Sequence, residues 1–299
     1  MAFFRSGIGT GDTQRRKRMS LFGFKGTDPG TPLEKWLPAL REAGFSWVEI
    51  RAPEAPDAEW EERLREWHRD GWAFAVHARF FGINLSSPNP RVRKAAVEVA
   101  LEDLAFAGRI GAQRLNLHAG DVNWYDVPPP DHPAYGWMME ALNHLRERHL
   151  AAAAQSVAEI AQAAQRQGIE IVVENLYKPW DLLCTPQEVR EFLAGADRWV
   201  GFTLDTGHAR VAGWSPTAFL QELNGRIRHF HIHWNDGAFD THDFPDPSIP
   251  DLAEFLRTVA ECCPSATLLV EIAPDSLEKV ERFLGWPAQV RAVMESPER

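Results

Sequence analysis

The sequence predicts an α/β protein closed as a single (β/α)8 barrel, on three observations. Eight short apolar runs rich in Val, Ile, Leu and Phe recur along the chain, alternating with longer stretches of helical period. At 299 residues the chain has room for one large domain, and no Gly/Ser- or Pro-rich linker divides it. No Gly-x-Gly-x-x-Gly follows the first strand, which removes the main argument for an open doubly wound sheet. Parallel strands need crossover helices, and eight such units at this length close most economically into a barrel.

In order, the strands are SLFGF near 20–24, SWVEI at 46–50, WAFAVHA at 72–78, RLNLHA at 114–119 and IEIVVEN at 169–175. VGFTLDT at 200–206, RHFHIHW at 228–234 and TLLVEI at 267–272 follow. Helix starts are marked by a capping side chain ahead of proline at Thr31–Pro32, Asn89–Pro90, Thr185–Pro186 and Ser215–Pro216. Gly44, Gly111 and Gly168 mark helix ends, where a residue free to turn left-handed is favoured. Residues 120–137, GDVNWYDVPPPDHPAYGW, break the rhythm. A connection this long and rich in proline and aromatics, directly after the fourth strand, is read as a lid or pocket wall over the C-terminal mouth. Residues 1–19 are read as a disordered basic tail ahead of a single domain at 20–299. Its run Arg15, Arg16, Lys17, Arg18 is solvated, and Met19 stands as an alternative start.

A formal net charge of −10 argues against broad attraction to nucleic acid. The three cysteines, Cys184, Cys262 and Cys263, form no Cys-x-x-Cys pair and no even framework, which places the chain in a reducing cytoplasm. No apolar run approaches the roughly 20 residues of a membrane span, and the opening residues lack the order of a secretion signal.

The C-terminal ends of barrel strands build active sites. Here those ends carry His77, His118, Glu174, Asp205, His233 and Glu271, with His208, Asp240 and His242 just beyond. Converging carboxylates and imidazoles repel or stay unsatisfied unless a cation sits among them, so a bound divalent metal is expected. The mixed oxygen and nitrogen donors suit zinc, manganese or cobalt better than calcium. In HFHIHWND the histidines alternate, His229, His231 and His233, and therefore share one face of the strand. His231 lies a layer below the mouth and is expected to support the site, and His229 is expected to pack at the barrel bottom.

These motifs, INL at 83–85, LHAGD, VVEN, LDTGHA, HIHWND, DTH and VEI, run in the order found in the xylose isomerase-like TIM barrels. The chain resembles that superfamily from about residue 20 onward. The superfamily includes sugar-phosphate isomerases and epimerases, and endonuclease IV. The epimerase branch implies one metal held by Glu174, Asp205, His233 and Glu271. The endonuclease branch implies three, with His77, His118, His208, Asp240 and His242 added.

Two chemistries were weighed on these residues. A sugar or sugar-phosphate isomerase or epimerase moves a proton through a metal-stabilised enediolate, with Glu174 and Glu271 as base and acid. Arg79, Phe80, Asn116, Trp124, Lys178, Arg210 and Asp236 are the expected substrate contacts, the cations for a phosphate or hydroxyls. An endonuclease IV-like hydrolase would use the full cluster on abasic DNA. Against it stand the acidic stretch RAPEAPDAEWEE after the second strand and the sequence DPS where a Gly-x-Gly is usual after the DxH. Phe80 and Phe81 suit either a duplex wedge or a sugar pocket. The small-molecule reading is preferred, a lyase on the same scaffold is the third alternative, and oligomerisation is left open.

Overall fold

The computed structural model describes residues 21–26, 32–124, 126–223 and 225–296. The basic run, Met19, Ser20 and Thr31 lie outside the described residues. From β1 (Leu21–Lys25) the chain passes through a short 3-10 turn, Pro32–Lys35, and α1 (Leu37–Ala43) to β2 (Phe45–Arg51). Then come α2 (Ala58–Arg69), β3 (Ala73–His77), α3 (Pro90–Arg109), β4 (Arg114–His118), α4 (Tyr135–Gln167) and β5 (Glu170–Glu174). The second half runs α5 (Pro186–Ala194), β6 (Val200–Asp205), α6 (Thr206–Val211), α7 (Pro216–Glu222), β7 (Ile227–Ile232), α8 (Pro250–Cys262), β8 (Thr267–Val270) and α9 (Leu277–Glu295). The eight strands pair in chain order, and β1 pairs parallel with β8, so the barrel is closed.

Period-two alternation divides each strand between the helices and the interior. The helix-facing residues are large and apolar: Phe22 meets Trp286 of α9 edge-on at 5.6 Å, Phe45 stacks on the same indole, and Phe230 meets Phe255 of α8 at 5.9 Å. The interior-facing residues are largely polar. Arg114 of β4 hydrogen-bonds across the barrel to Thr267 of β8, and Asn116 of β4 to Glu174 of the neighbouring β5. Closure therefore buries these polar side chains and forces them to satisfy one another.

Two local departures from the sequence reading have simple causes. The first helix does not run from Pro32: Pro38, at its second position, has no N–H to give and its ring would strike the carbonyl of Glu34, so the helix starts afresh at Leu37. The connection at 120–137 ends sooner, because Tyr135 already begins the 33-residue α4. The other caps are as read: Asn89 accepts from Arg91 N–H, Thr185 from Glu188 N–H and Ser215 from Thr217 N–H. No described helix is long and apolar enough to cross a membrane.

Candidate metal centre

Strands β3 to β8 each bring one ligand-type side chain to the mouth, at or just past their C-terminal ends. Glu174 closes β5 at 1 % exposure, and His77, His118 and His208 surround it with ring nitrogens at 3.4, 3.3 and 3.3 Å. Asn116, one layer below, donates to Glu174 Oε2 at 2.6 Å. Asp205 closes β6 and caps α6, accepting the His208 N–H at 2.6 Å, while His233 Nε2 lies 3.0 Å from the same carboxylate. This approach depends on Gly207: a Cβ there would stand 1.8 Å from His233 Cε1, so no larger residue fits between α6 and β7. Glu271, just past β8, is paired with Lys25 Nζ at 3.1 Å.

The loop after β7 brings the last donors. Its return is pinned by paired backbone bonds between Trp234 and Asp243. That pairing sets His242, in a left-handed conformation at φ 50°, face to face with His233 at 4.1 Å. Asp240 Oδ2 lies 3.3 Å from His208 Nε2 and 3.2 Å from His242 Nε2. His231, in the layer below, joins the carboxylates from the interior side, with Nδ1 3.3 Å from Glu174 Oε1.

Burial alone would push Glu174 up, but the imidazoles of His231 and His118 hold it well below the usual carboxylate range. Glu271 is held down against burial by His231 and Lys25. Burial pushes His118 down, keeping it a neutral donor. His208 is raised against burial, Asp205 being the largest cause, and His242 is raised to about 9 against burial, through its hydrogen bond to Asp240.

The donor set fits a divalent transition ion, on a test internal to the structure. Four buried atoms, His118 Nε2, His233 Nδ1, Asp240 Oδ1 and Glu271 Oε2, have no hydrogen-bond partner. A buried polar atom left so is costly unless something else ligates it. Donor atoms of Glu174, Asp205, His231 and Glu271 lie within 4.8 Å of one another, as do those of His77, His118 and Glu174, and of His233, His242 and Glu271. His231 groups with the three carboxylates, and His233, 3.0 Å from Asp205, groups with His242 and Glu271.

A cavity of about 800 Å3 opens above these residues, reaching His77, His118, Glu174, His208, Asp240, His242 and Glu271, with Phe80, Phe81, Tyr177 and Trp180 in its walls. Of the expected substrate contacts, Phe80 stacks on His118 at 4.4 Å and Lys178 lines the rim. Asn116 is fully buried beneath, between Glu174 and Thr203. Arg79 is not at the cavity: its guanidinium is tied to Glu102 and Asp103 of α3 at 2.9 and 2.7 Å. Arg210 lies over the Trp234 ring, donates to the Asn235 carbonyl, and lines with Asp236 a separate cavity of about 670 Å3. Trp124 packs against the hydrophobic core, and only Gly120 and Asp121 of the 120–137 connection line the main cavity among the described residues. Sequence reasoning missed Lys25, Glu49 and Arg51. A charged residue inside an apolar strand, as Glu49 is in SWVEI, was the available signal.

The closed eight-stranded parallel barrel defines the fold class, and the comparisons agree. The model of the xylose isomerase-like TIM barrel family matches residues 37–293, and the chain belongs to that family. An uncharacterized protein of Methanocaldococcus jannaschii is 29% identical over 174 residues, covering 56% of this chain and 53% of that protein. A probable endonuclease 4 of Thermoplasma volcanium is 25% identical over 173 residues, covering 55% and 52%. The chain thus spans about half the length of these curated relatives. The crystal structure of a D-tagatose 3-epimerase-like protein superposes with a TM-score of 0.72 at 22% identity, over 92% of this chain and 98% of that one.

Proposed function

We propose that the protein is a divalent-metal-dependent isomerase or epimerase acting on a sugar or sugar phosphate. The carrying observation is that two buried glutamates, Glu174 and Glu271, converge with Asp205 beneath an aromatic-walled cavity of about 800 Å3, a volume suited to a small molecule. The residues that would hold an ion are Glu174, Asp205 and Glu271 with His233 or His231, and zinc or manganese suits their mixed donors, with cobalt a further match. Bound there, the ion would polarise a carbonyl and its neighbouring hydroxyl. Glu271, oriented by the pairing of its Oε1 with Lys25, would accept a proton from the substrate carbon. Glu174, whose Oε2 is held by Asn116, has a fixed orientation and would return the proton from the other side. The walls Phe80 and Tyr177 exclude water, and Lys178 at the rim would meet a phosphate or hydroxyl.

One observation favours a second reading, a polynuclear phosphodiester hydrolase of the endonuclease IV kind. His77 and His118 extend the donor set on one side of Glu174, and His208, Asp240 and His242 on the other, more donors than one ion uses. The experiment incubates metal-loaded protein in deuterated solvent with pentoses and hexoses, free and phosphorylated, and separately with an abasic-site duplex. Deuterium uptake into a sugar is expected. Strand cleavage that falls steeply with salt, without uptake into any sugar, would establish the hydrolase instead.

A further inference from the structure

Below the mouth the barrel interior holds a chain of charged groups where this architecture usually stacks branched apolar side chains. Glu49, in the middle of β2, is 2 % exposed and stands between two histidines of β7, His229 and His231, whose Nε2 atoms both lie 3.2 Å from its Oε2. Arg114 closes the bottom, 3.3 Å from His229 Nδ1 and bonded to Thr267 and Glu170. The opposite edge of the His231 ring faces the mouth, with Nδ1 3.3 Å from Glu174, 3.5 Å from Glu271 and 3.7 Å from Asp205. One fully buried imidazole therefore touches all three carboxylates of the metal centre, and its other nitrogen rests on Glu49.

We propose that Glu49 is a positioning residue for the metal centre: it accepts the Nε2–H of His231 and so fixes the ring's tautomer and orientation, with Nδ1 aimed at the convergent carboxylates. An ionised carboxylate can only accept, so the nitrogen facing it must carry the hydrogen. A histidine held in this way by an outer carboxylate is the usual means of tuning a metal site, and its loss commonly costs 10- to 100-fold in affinity. The proposal rests on the metal-binding part of the function above and is independent of the substrate.

The test is Glu49→Gln, which keeps the shape but offers an N–H where the carboxylate only accepted, compared with Glu49→Asp. Zinc affinity is measured by chelator competition. The imidazole nitrogens are read by 15N NMR in the zinc-loaded protein, with the His231 signals identified by their loss in His231→Asn. The expected result is Nε2-protonated His231 in the parent, loss of that signature in Glu49→Gln with a 10- to 100-fold fall in zinc affinity and retained fold, and partial recovery in Glu49→Asp. An unprotonated Nε2 in the parent overturns the proposal even if the variants fail to fold. So does parental affinity in a folded Glu49→Gln. A parent that binds no zinc defeats the metal reading, and the Glu49–His231 contact is then judged by whether Glu49→Gln removes the protection of the His231 Nε2–H from solvent exchange; unchanged protection overturns it.

Discussion

Asp205 combines a backbone duty with a chemical one: Oδ1 caps α6 at the His208 N–H, and the same carboxylate faces His233 and, at 3.7 Å, His231. Asp205→Asn preserves the cap but removes the charge, whereas Asp205→Ala removes both, costing about 1 kcal/mol more in stability. Both variants should lose bound metal in elemental analysis, and parental metal content in a folded Asp205→Ala would dismiss the ligand assignment. The imidazoles add a pH dependence. With its folded value raised to about 9, His242 is protonated at neutral pH in the metal-free protein and must shed that proton before it can donate to an ion. His208 is raised in the same direction. Zinc affinity should therefore climb from pH 6 towards 9 by roughly tenfold per pH unit for each proton displaced. Calorimetry in buffers of differing ionisation heat would register that release, and a buffer-independent heat at pH 7 would refute it.

The strands were legible to within a residue or two because each is a short run rich in Val, Ile, Leu or Phe between longer helical stretches, and a cap or glycine bounds most helices. The strand-end carboxylates and imidazoles were placeable for the same reason: once β5 or β6 ends, its last polar residue lies at the mouth. Glu49 and Lys25 were not, because alternation alone does not say which face of a strand is interior, and only barrel closure turns the Glu49 face to the barrel interior. The direction of a long guanidinium was equally hidden. Arg79 follows β3 as a substrate contact would, yet Glu102 and Asp103 one helix away capture it. The junction of β6 and α6 offers a sharp test. Gly207→Ala would drive a methyl into His233, so the ring must leave its place beside Asp205. Metal affinity should fall at least tenfold while far-ultraviolet circular dichroism stays near the parent's, and an unchanged affinity would mean that His233 is not needed at the site.

Closure of the barrel joins the stability of the fold to the placement of the site. Phe283 of α9 is fully buried and meets Phe24 of β1, Phe45 of β2 and Phe244 of the loop that carries His242. Phe283→Ala should cost about 3–5 kcal/mol in denaturant unfolding, and a cost below about 1 kcal/mol would show that this contact does not seal the barrel. The sequence carries a formal net charge of −10, and closure forms a cavity of small-molecule size at the barrel mouth. That combination suits a sugar better than a polyanionic duplex. If Glu174 and Glu271 move the proton, replacing either by Gln keeps a donor oxygen but removes the base. The decisive measurement is deuterium incorporation from solvent into the sugar turned over by the parent, by Glu174→Gln and by Glu271→Gln, each loaded with the same metal. The account predicts uptake by the parent and a loss of 100-fold or more in each variant, with turnover falling further than substrate affinity; uptake at parental rates in either variant, or none in the metal-loaded parent with any sugar tested, would contradict it.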